Sequence, residues 1–231
     1  MMRLLLISNS TNAGEQYLAY AMPQIGAFLK GVKRVAFIPY AGVRFSYDAY
    51  QEKVAKRFAE AGIAVDSVHQ TTDPKAMLAE AEAIVIGGGN TWRLLQQMQE
   101  NDLIGVIREK VLGETPYVGW SAGSNVSCPT ISTTNDMPVV APHSFEALNL
   151  VPFQINPHYL DANPEGHAGE TREERIIEYI ELNRTRTVVG LREGTMLRVE
   201  GDAIELIGKR PARIFHYGKE AWEVNPGAFE I

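Results

Sequence analysis

Short β-branched runs alternate with longer amphipathic stretches along the first half of the chain. Residues 4–8 read as a buried strand. Residues 16–30 follow, with Tyr17, Leu18, Ala21, Ile25, Phe28 and Leu29 at helical spacing and Pro23 either interrupting that helix or marking its start. The alternation then repeats. Strands are predicted over 34–40, 63–69, 83–86 and 117–120, and helices over 48–61, 74–81, 91–99, 104–112 and 122–128. Ser46 is placed to cap the second helix, and Asp73-Pro74 pairs a capping side chain with a proline in the first turn. Beyond about residue 130 the rhythm loosens into a polar loop over 131–143, a strand over 151–155, a charged helix over 170–182 and a strand over 187–191. The tail, 196–207 and 213–224, has the alternation of β-hairpins.

A βαβα rhythm of this kind implies an α/β fold, mainly a parallel sheet with helices on both faces, here with a C-terminal β-hairpin region. Neither an internal repeat nor a linker divides the chain, so residues 1–231 are read as one domain. Composition narrows the class. Hydrophobic residues make up 45% and charged residues 22%, enough for a large core. One cysteine in 231 residues excludes a disulfide scaffold or a cysteine-based zinc finger. A net charge of −6 argues against a general nucleic-acid binder, whose affinity needs a basic face. The apolar start is too short for a signal peptide, and no run approaches a membrane span. The expectation is a cytoplasmic small-molecule enzyme without a membrane partner. Oligomeric state is not readable.

In such sheets ligands collect at the carboxyl ends of the strands. Those ends carry Ser8-Asn9, Tyr40, Gly87-Gly88-Gly89-Asn90, Ser121, Asn156-Pro157-His158 and Arg192-Glu193-Gly194. Gly119-Trp120-Ser121-Ala122-Gly123 is a G-x-S-x-G pattern between a predicted strand and a helix. Its glycines permit the sharp turn that lifts a nucleophilic serine clear of the backbone. The pattern alone also fits an ordinary tight turn, and the strand-turn-helix setting is what makes it specific. Gly87-Gly88-Gly89-Asn90-Thr91 lacks the further glycine of a dinucleotide fingerprint and the lysine of a phosphate-binding loop. Its bare backbone suits an oxyanion hole, with the Gly89 N–H as one donor and that of Ala122, after the nucleophile, as the other.

Of the five histidines, His158 is favoured as the base because it closes a core strand after a rigid Asn156-Pro157. His69, His143, His167 and His216 fall on a half-exposed strand, in polar loops or in the tail. Glu193 and Asp136 both qualify as the acid that orients the imidazole. Cys128, seven residues after Ser121, reads as a buried structural thiol. No histidine pair has metal-ligand spacing, so neither metal nor cofactor is expected.

These segments together resemble the peptidase E family of bacterial α-aspartyl dipeptidases, over nearly the whole chain. The matches run from Leu4-Leu5-Leu6-Ile7-Ser8-Asn9-Ser10 through the two glycine motifs. They continue through Thr133-Thr134-Asn135-Asp136-Met137-Pro138, Ile155-Asn156-Pro157-His158, Gly169-Glu170-Thr171-Arg172 and Gly190-Leu191-Arg192-Glu193-Gly194. The resemblance implies a serine peptidase with a class I glutamine amidotransferase-like fold that removes aspartate from Asp-X dipeptides. Ser121 matches the nucleophile, His158 the base, Asp136 and Glu193 the positions assigned to the acid, and Gly89 and Ala122 the oxyanion hole. Arg192 and Met196 are less typical. Recognition of an aspartate carboxylate needs a cation, and Arg172 is the choice, with Asn90 as a further substrate-binding candidate. The alternative for Arg172, beside Glu173, Glu174 and Arg175, is a solvated helix face. If Glu193 orients His158, Asp136 is left for the substrate ammonium. The rivals are a cyanophycinase-like hydrolase of aspartyl-linked substrates and a non-enzymatic amino-acid-binding module. A glutaminase would need cysteine in place of Ser121.

Overall fold

The computed structural model describes residues 1–231 apart from Pro164 and His167. His167, one of the loop histidines weighed above, therefore lies outside the described residues.

Strand β1 (Arg3–Ile7) turns Leu4 and Leu6 into one hydrophobic cluster and Leu5 and Ile7 into another. Successive side chains point to opposite faces, so burying all four requires cover on both sides of the sheet. Parallel neighbours β2 (Arg34–Ile38), β3 (Ala64–Ser67), β4 (Ile84–Ile86) and β5 (Tyr117–Trp120) complete the half-sheet in the order β1-β5-β4-β2-β3. The helices between them are α1 (Met22–Phe28), α2 (Tyr47–Phe58), α3 (Pro74–Ala79), α4 (Thr91–Glu100) and α5 (Ile104–Leu112). Ser46 caps α2 by accepting from Ala49 N–H at 3.2 Å, and Asp73 caps α3 by accepting from Ala76 N–H at 3.0 Å. On α2, Tyr50, Val54 and Phe58 recur every fourth residue and are buried.

The first predicted helix is shorter than its apolar spacing implies. Leu18 adopts a left-handed φ of 55°, which breaks the helix upstream, and Pro23 sits in the first turn of α1. Proline therefore marks the start and does not interrupt. The helix after Ser121 is also cut short. α6 (Ala122–Asn125) tightens into i→i−3 bonds at Ser127 and Cys128 before Pro129 ends it.

The remaining strands are β6 (Gln154–Tyr159), β7 (Thr187–Arg192), β8 (Met196–Glu200), β9 (Ala203–Ile207), β10 (Ala212–His216), β11 (Trp222–Val224) and β12 (Gly227–Phe229). They divide between two sheets. The hairpin β8–β9 and strand β12 extend the main sheet antiparallel from β1, giving eight strands. Strands β11-β10-β7-β6 form a second sheet of four, packed under α7 (Arg172–Leu182) through Tyr159, Ile176, Ile180, Val188 and Phe215. The expected sheet flanked by helices is the larger of the two, and the four-stranded sheet is an addition that periodicity does not reveal. Both tail hairpins form, but they join different sheets. Among the described residues no helix is long and apolar enough to cross a membrane.

Register brings the chemistry together. Ile7 pairs with Trp120 and Ile86 with Gly119, so Ser8, Ser121 and the Gly87–Gly89 run leave their strands at one rim. The ends of β6 and β7 arrive from the second sheet.

Candidate active site

Ser121 occupies the turn between β5 and α6 with φ 54° and ψ −112°. A non-glycine residue in this region costs ~1–3 kcal/mol and persists only where its surroundings fix it. Here the Ser121 N–H donates to Ile7 O at 2.9 Å, and its carbonyl accepts from the N–H groups of Ser124 and Asn125 at 3.0 Å each. The following glycine is required for a different reason. A Cβ on Gly123 would run into the Ile86 carbonyl oxygen, so only a bare backbone lets α6 start this close to β4.

His158 comes from the second sheet. β6 continues past Pro157 to Tyr159, so His158 lies within the strand and not beyond its end. Its pairing with β7 shifts register between Pro157 and Tyr159, and His158, at φ 54°, is the extra residue of this irregularity. Such bulges re-aim a side chain. The result is a continuous chain: Ser121 Oγ lies 2.8 Å from His158 Nε2, and His158 Nδ1 lies 2.7 Å from Glu193 Oε1. An ionised carboxylate only accepts, so Nδ1 carries the proton and Nε2 presents its lone pair to the serine hydroxyl.

Several buried polar groups fix that geometry. Ser8, fully buried, accepts from the His158 N–H at 3.0 Å and donates to Leu191 O at 2.7 Å. One hydroxyl thereby ties the end of β1 to the strand bearing His158 and to β7, which leads into Glu193. Asn9 Oδ1 accepts from the Gly194 N–H at 2.8 Å and from Tyr20 OH at 2.6 Å, anchoring the residue after Glu193. Sequence reading placed Ser8 and Asn9 at a strand end but gave them no part. Their signal was two polar residues ending the apolar run Leu4–Ile7.

Asp136 stands elsewhere. Its Oδ2 accepts from Thr91 N–H at 2.8 Å and Thr91 Oγ at 2.6 Å, at the N-terminus of α4, and it makes no bond to His158. Of the two candidate acids, only Glu193 reaches the imidazole. Asp136 Oδ1 has no hydrogen-bond partner among the described residues. Its loop is stitched to β6, since Asn156 Nδ2 donates to Thr133 O at 2.9 Å and Asn135 Nδ2 donates to Pro157 O at 2.6 Å. Asn90 caps α4, accepting from the Arg93 N–H at 3.0 Å, and its amide donates to Met137 O at 2.9 Å. Both ends of that side chain are engaged within the protein.

Arg172 opens α7 in a half-buried position near Asp136. Burial, with the adjacent Arg175, holds its guanidinium below the ordinary arginine range, while Asp136 opposes the shift. It has no ion-pair partner among the described residues, unlike Arg192. That residue is buried against Asp161 and Glu223, with Nη1 2.8 Å from Glu223 Oε2, and also donates to Pro211 O. Arg192 is therefore consumed by the second sheet and not presented to a ligand.

Gly89 has φ 137°, and a Cβ there would strike Ala41 O, so this position too requires glycine. The N–H groups of Gly89 and Ala122 find no acceptor among the described residues. Unpaired donors beside a nucleophile are what an oxyanion hole requires. Cys128 is fully buried, accepts from Ile155 N–H at 3.1 Å, and is pushed up to about 12 by that burial. It holds its proton and is no rival nucleophile. A cavity of about 440 Å³ opens at Ser121, His158 and Gly89. Among the described residues no group of three metal-ligating side chains gathers.

Comparisons with known proteins show the family. A profile of peptidase family S51 matches residues 4–207. A peptidase E from a Nostoc species is 52% identical over 225 residues, spanning 97% of this chain and 93% of its own. A peptidase E from Shigella flexneri is 46% identical over 226 residues, 98% of this chain and 99% of its own. In shape, the crystal structure of a peptidase from an acI-B1 actinobacterium covers 100% of this chain and 97% of its own with a TM-score of 0.71 at 17% identity. With nearly its whole length matched at about half identity, the chain belongs to peptidase family S51 and is a serine-type peptidase, a hydrolase.

Proposed function

We propose that this peptidase removes an N-terminal aspartate from Asp-X dipeptides, with Ser121 as nucleophile, His158 as general base and Glu193 as the acid that orients it. The observation that carries this reading is the 2.8 Å and 2.7 Å chain from Ser121 through His158 to Glu193, beside two N–H donors without acceptors. His158 Nε2 takes the serine proton as Oγ attacks the aspartyl carbonyl carbon. The Gly89 and Ala122 amides hold the oxyanion, and each such donor is worth about 3–4 kcal/mol in the transition state. The imidazolium, stabilised by Glu193, then protonates the leaving amine. Water, activated by the same histidine, releases aspartate from the acyl-enzyme.

The selection of aspartate rests on two side chains from outside this chain of bonds. Arg172 receives the β-carboxylate, and its partial burial is what makes a mismatch costly. Asp136 holds the α-ammonium through the oxygen that takes no internal bond. Asn90 shapes this corner through its bonds to Arg93 N–H and Met137 O, and the second hydrogen of its amide is left to meet the substrate.

This division is tested by Asp136→Asn. The asparagine carbonyl can still accept from Thr91, so α4 keeps its cap while the ammonium loses its counter-charge. On Asp-Leu, KM is expected to rise about 10- to 100-fold, the worth of one charge-assisted bond, with kcat within about threefold. A collapse of kcat at unchanged KM would place Asp136 in the catalytic chain and overturn the assignment.

A further inference from the structure

The residues that line the cavity at Ser121 include neither Asp136 nor Arg172. Its walls come from the segment after β1, from α2 and from the end of β5, and include Tyr17, Phe45, Tyr50 and Trp120. These aromatics form a connected surface. Phe45 packs edge-on against Tyr50 with centroids 5.0 Å apart, and Tyr17 packs edge-on against Trp120 at 6.3 Å. Tyr50 OH donates to Gly88 O at 2.8 Å and accepts from Trp120 Nε1 at 3.2 Å, fixing the wall to the glycine run. One cation lines this space. Lys53, on the exposed side of α2, holds its Nζ 4.0 Å from the centroid of the Tyr17 ring. An ammonium over an aromatic face is steadied by the ring quadrupole without being neutralised. Among the described residues no carboxylate pairs with it.

We infer that Lys53 is a specificity-determining residue that receives the free C-terminal carboxylate of the leaving amino acid, with the aromatic wall accepting its side chain. This rests on the Asp-X reading and deepens it. An Asp-X dipeptide carries three charges: an ammonium, a β-carboxylate and an α-carboxylate. Asp136 and Arg172 account for the first two on the acyl side. The third lies two bonds beyond the scissile nitrogen, on the leaving side, where the cavity presents Lys53. Each further residue moves the terminal carboxylate on by as much as ~3.3–3.6 Å. A fixed cation at this point therefore limits the substrate to two residues, and an apolar aromatic wall favours an apolar second one.

The test compares Asp-Leu, Asp-Leu amide and Asn-Leu on the wild type, Lys53→Met and Lys53→Arg. Thermal melts confirm that each variant folds. The wild type is expected to prefer Asp-Leu over its amide about 10- to 100-fold in kcat/KM, the worth of one charge-assisted contact. Lys53→Met brings that ratio close to one by raising KM for Asp-Leu, Lys53→Arg restores most of it, and the preference for Asp-Leu over Asn-Leu survives in both. Equal wild-type rates on Asp-Leu and its amide would overturn the inference, as would a ratio unmoved in Lys53→Met. Loss of the Asp-over-Asn preference in Lys53→Met would overturn it differently, by placing Lys53 against the aspartate side chain. A wild type that cleaves none of the three defeats the Asp-X reading, and the inference with it.

Discussion

Ser121→Ala is expected to reduce kcat on Asp-Leu by about 10⁶-fold, the scale seen when one member of a serine triad is removed. The Ser121 side chain has one hydrogen-bond partner among the described residues, His158. Its turn is held by backbone bonds to Ile7, Ser124 and Asn125, which alanine keeps. Alanine meets the same steric cost at φ 54° as serine does, so the variant should melt at the wild-type temperature. What remains is binding plus the Gly89 and Ala122 donors, acting on a carbonyl with no nucleophile in place. Steady-state rates beside a thermal melt check both halves. Activity within tenfold of wild type would remove Ser121 from the reaction.

The second large effect is expected at Glu193. Glu193→Gln is nearly isosteric, but the amide can present N–H groups to His158 Nδ1. The imidazole then carries its proton on Nε2, the atom that must accept from Ser121. In a serine triad this wrong tautomer lowers kcat by about 10⁴-fold with the geometry intact. KM should change little, because Glu193 meets the histidine and not the substrate. The contrast with Asp136→Asn is the useful one: one acid acts on kcat, the other on KM. A Glu193→Gln enzyme with kcat within threefold of wild type would mean that the 2.7 Å contact has no part in the chemistry.

The residues from which these expectations start were visible in the sequence for a physical reason. Apolar alternation locates strands, and a polar or glycine residue ending such a run marks the rim where ligands bind. Ser121, His158, Glu193 and the Gly87–Gly89 run were all found this way. Choosing between Asp136 and Glu193 was not possible, because that depends on how a second sheet stands against the first. Periodicity records which face of a strand is buried, not its pairing partner. The same gap hid the antiparallel extension through β8, β9 and β12, and the separation of β6, β7, β10 and β11 into their own sheet.

Strand ends were misjudged where a local rule was overridden. The apolar run predicts a strand over 151–155, whereas β6 starts at Gln154 and runs through Pro157 to Tyr159 by way of a bulge that places His158. Apolar spacing over 16–30 overran a left-handed Leu18 that no pattern of side chains reveals. Lys53 illustrates the reverse case. On α2 it has the look of any solvated lysine beside the buried Tyr50 and Val54, and only the folded chain sets it over Tyr17 at the edge of the cavity. Ser8 is similar, a small polar residue whose two bonds span 150 and 183 positions of sequence.

Hydrolysis of matched Asp-Leu, Asn-Leu, Glu-Leu and β-Asp-Leu by the wild type, with Ser121→Ala as control, tests the account most directly. Asp-Leu should be cleaved fastest, and Asn-Leu slower by about 10²- to 10³-fold, since a neutral amide leaves the half-buried Arg172 charge unmatched. Glu-Leu and β-Asp-Leu should also be poor, one carrying its carboxylate too far and the other its scissile carbonyl in the wrong place. Ser121→Ala should cleave none of them measurably. Equal rates on Asp-Leu and Asn-Leu, or undiminished hydrolysis by Ser121→Ala, would contradict the account.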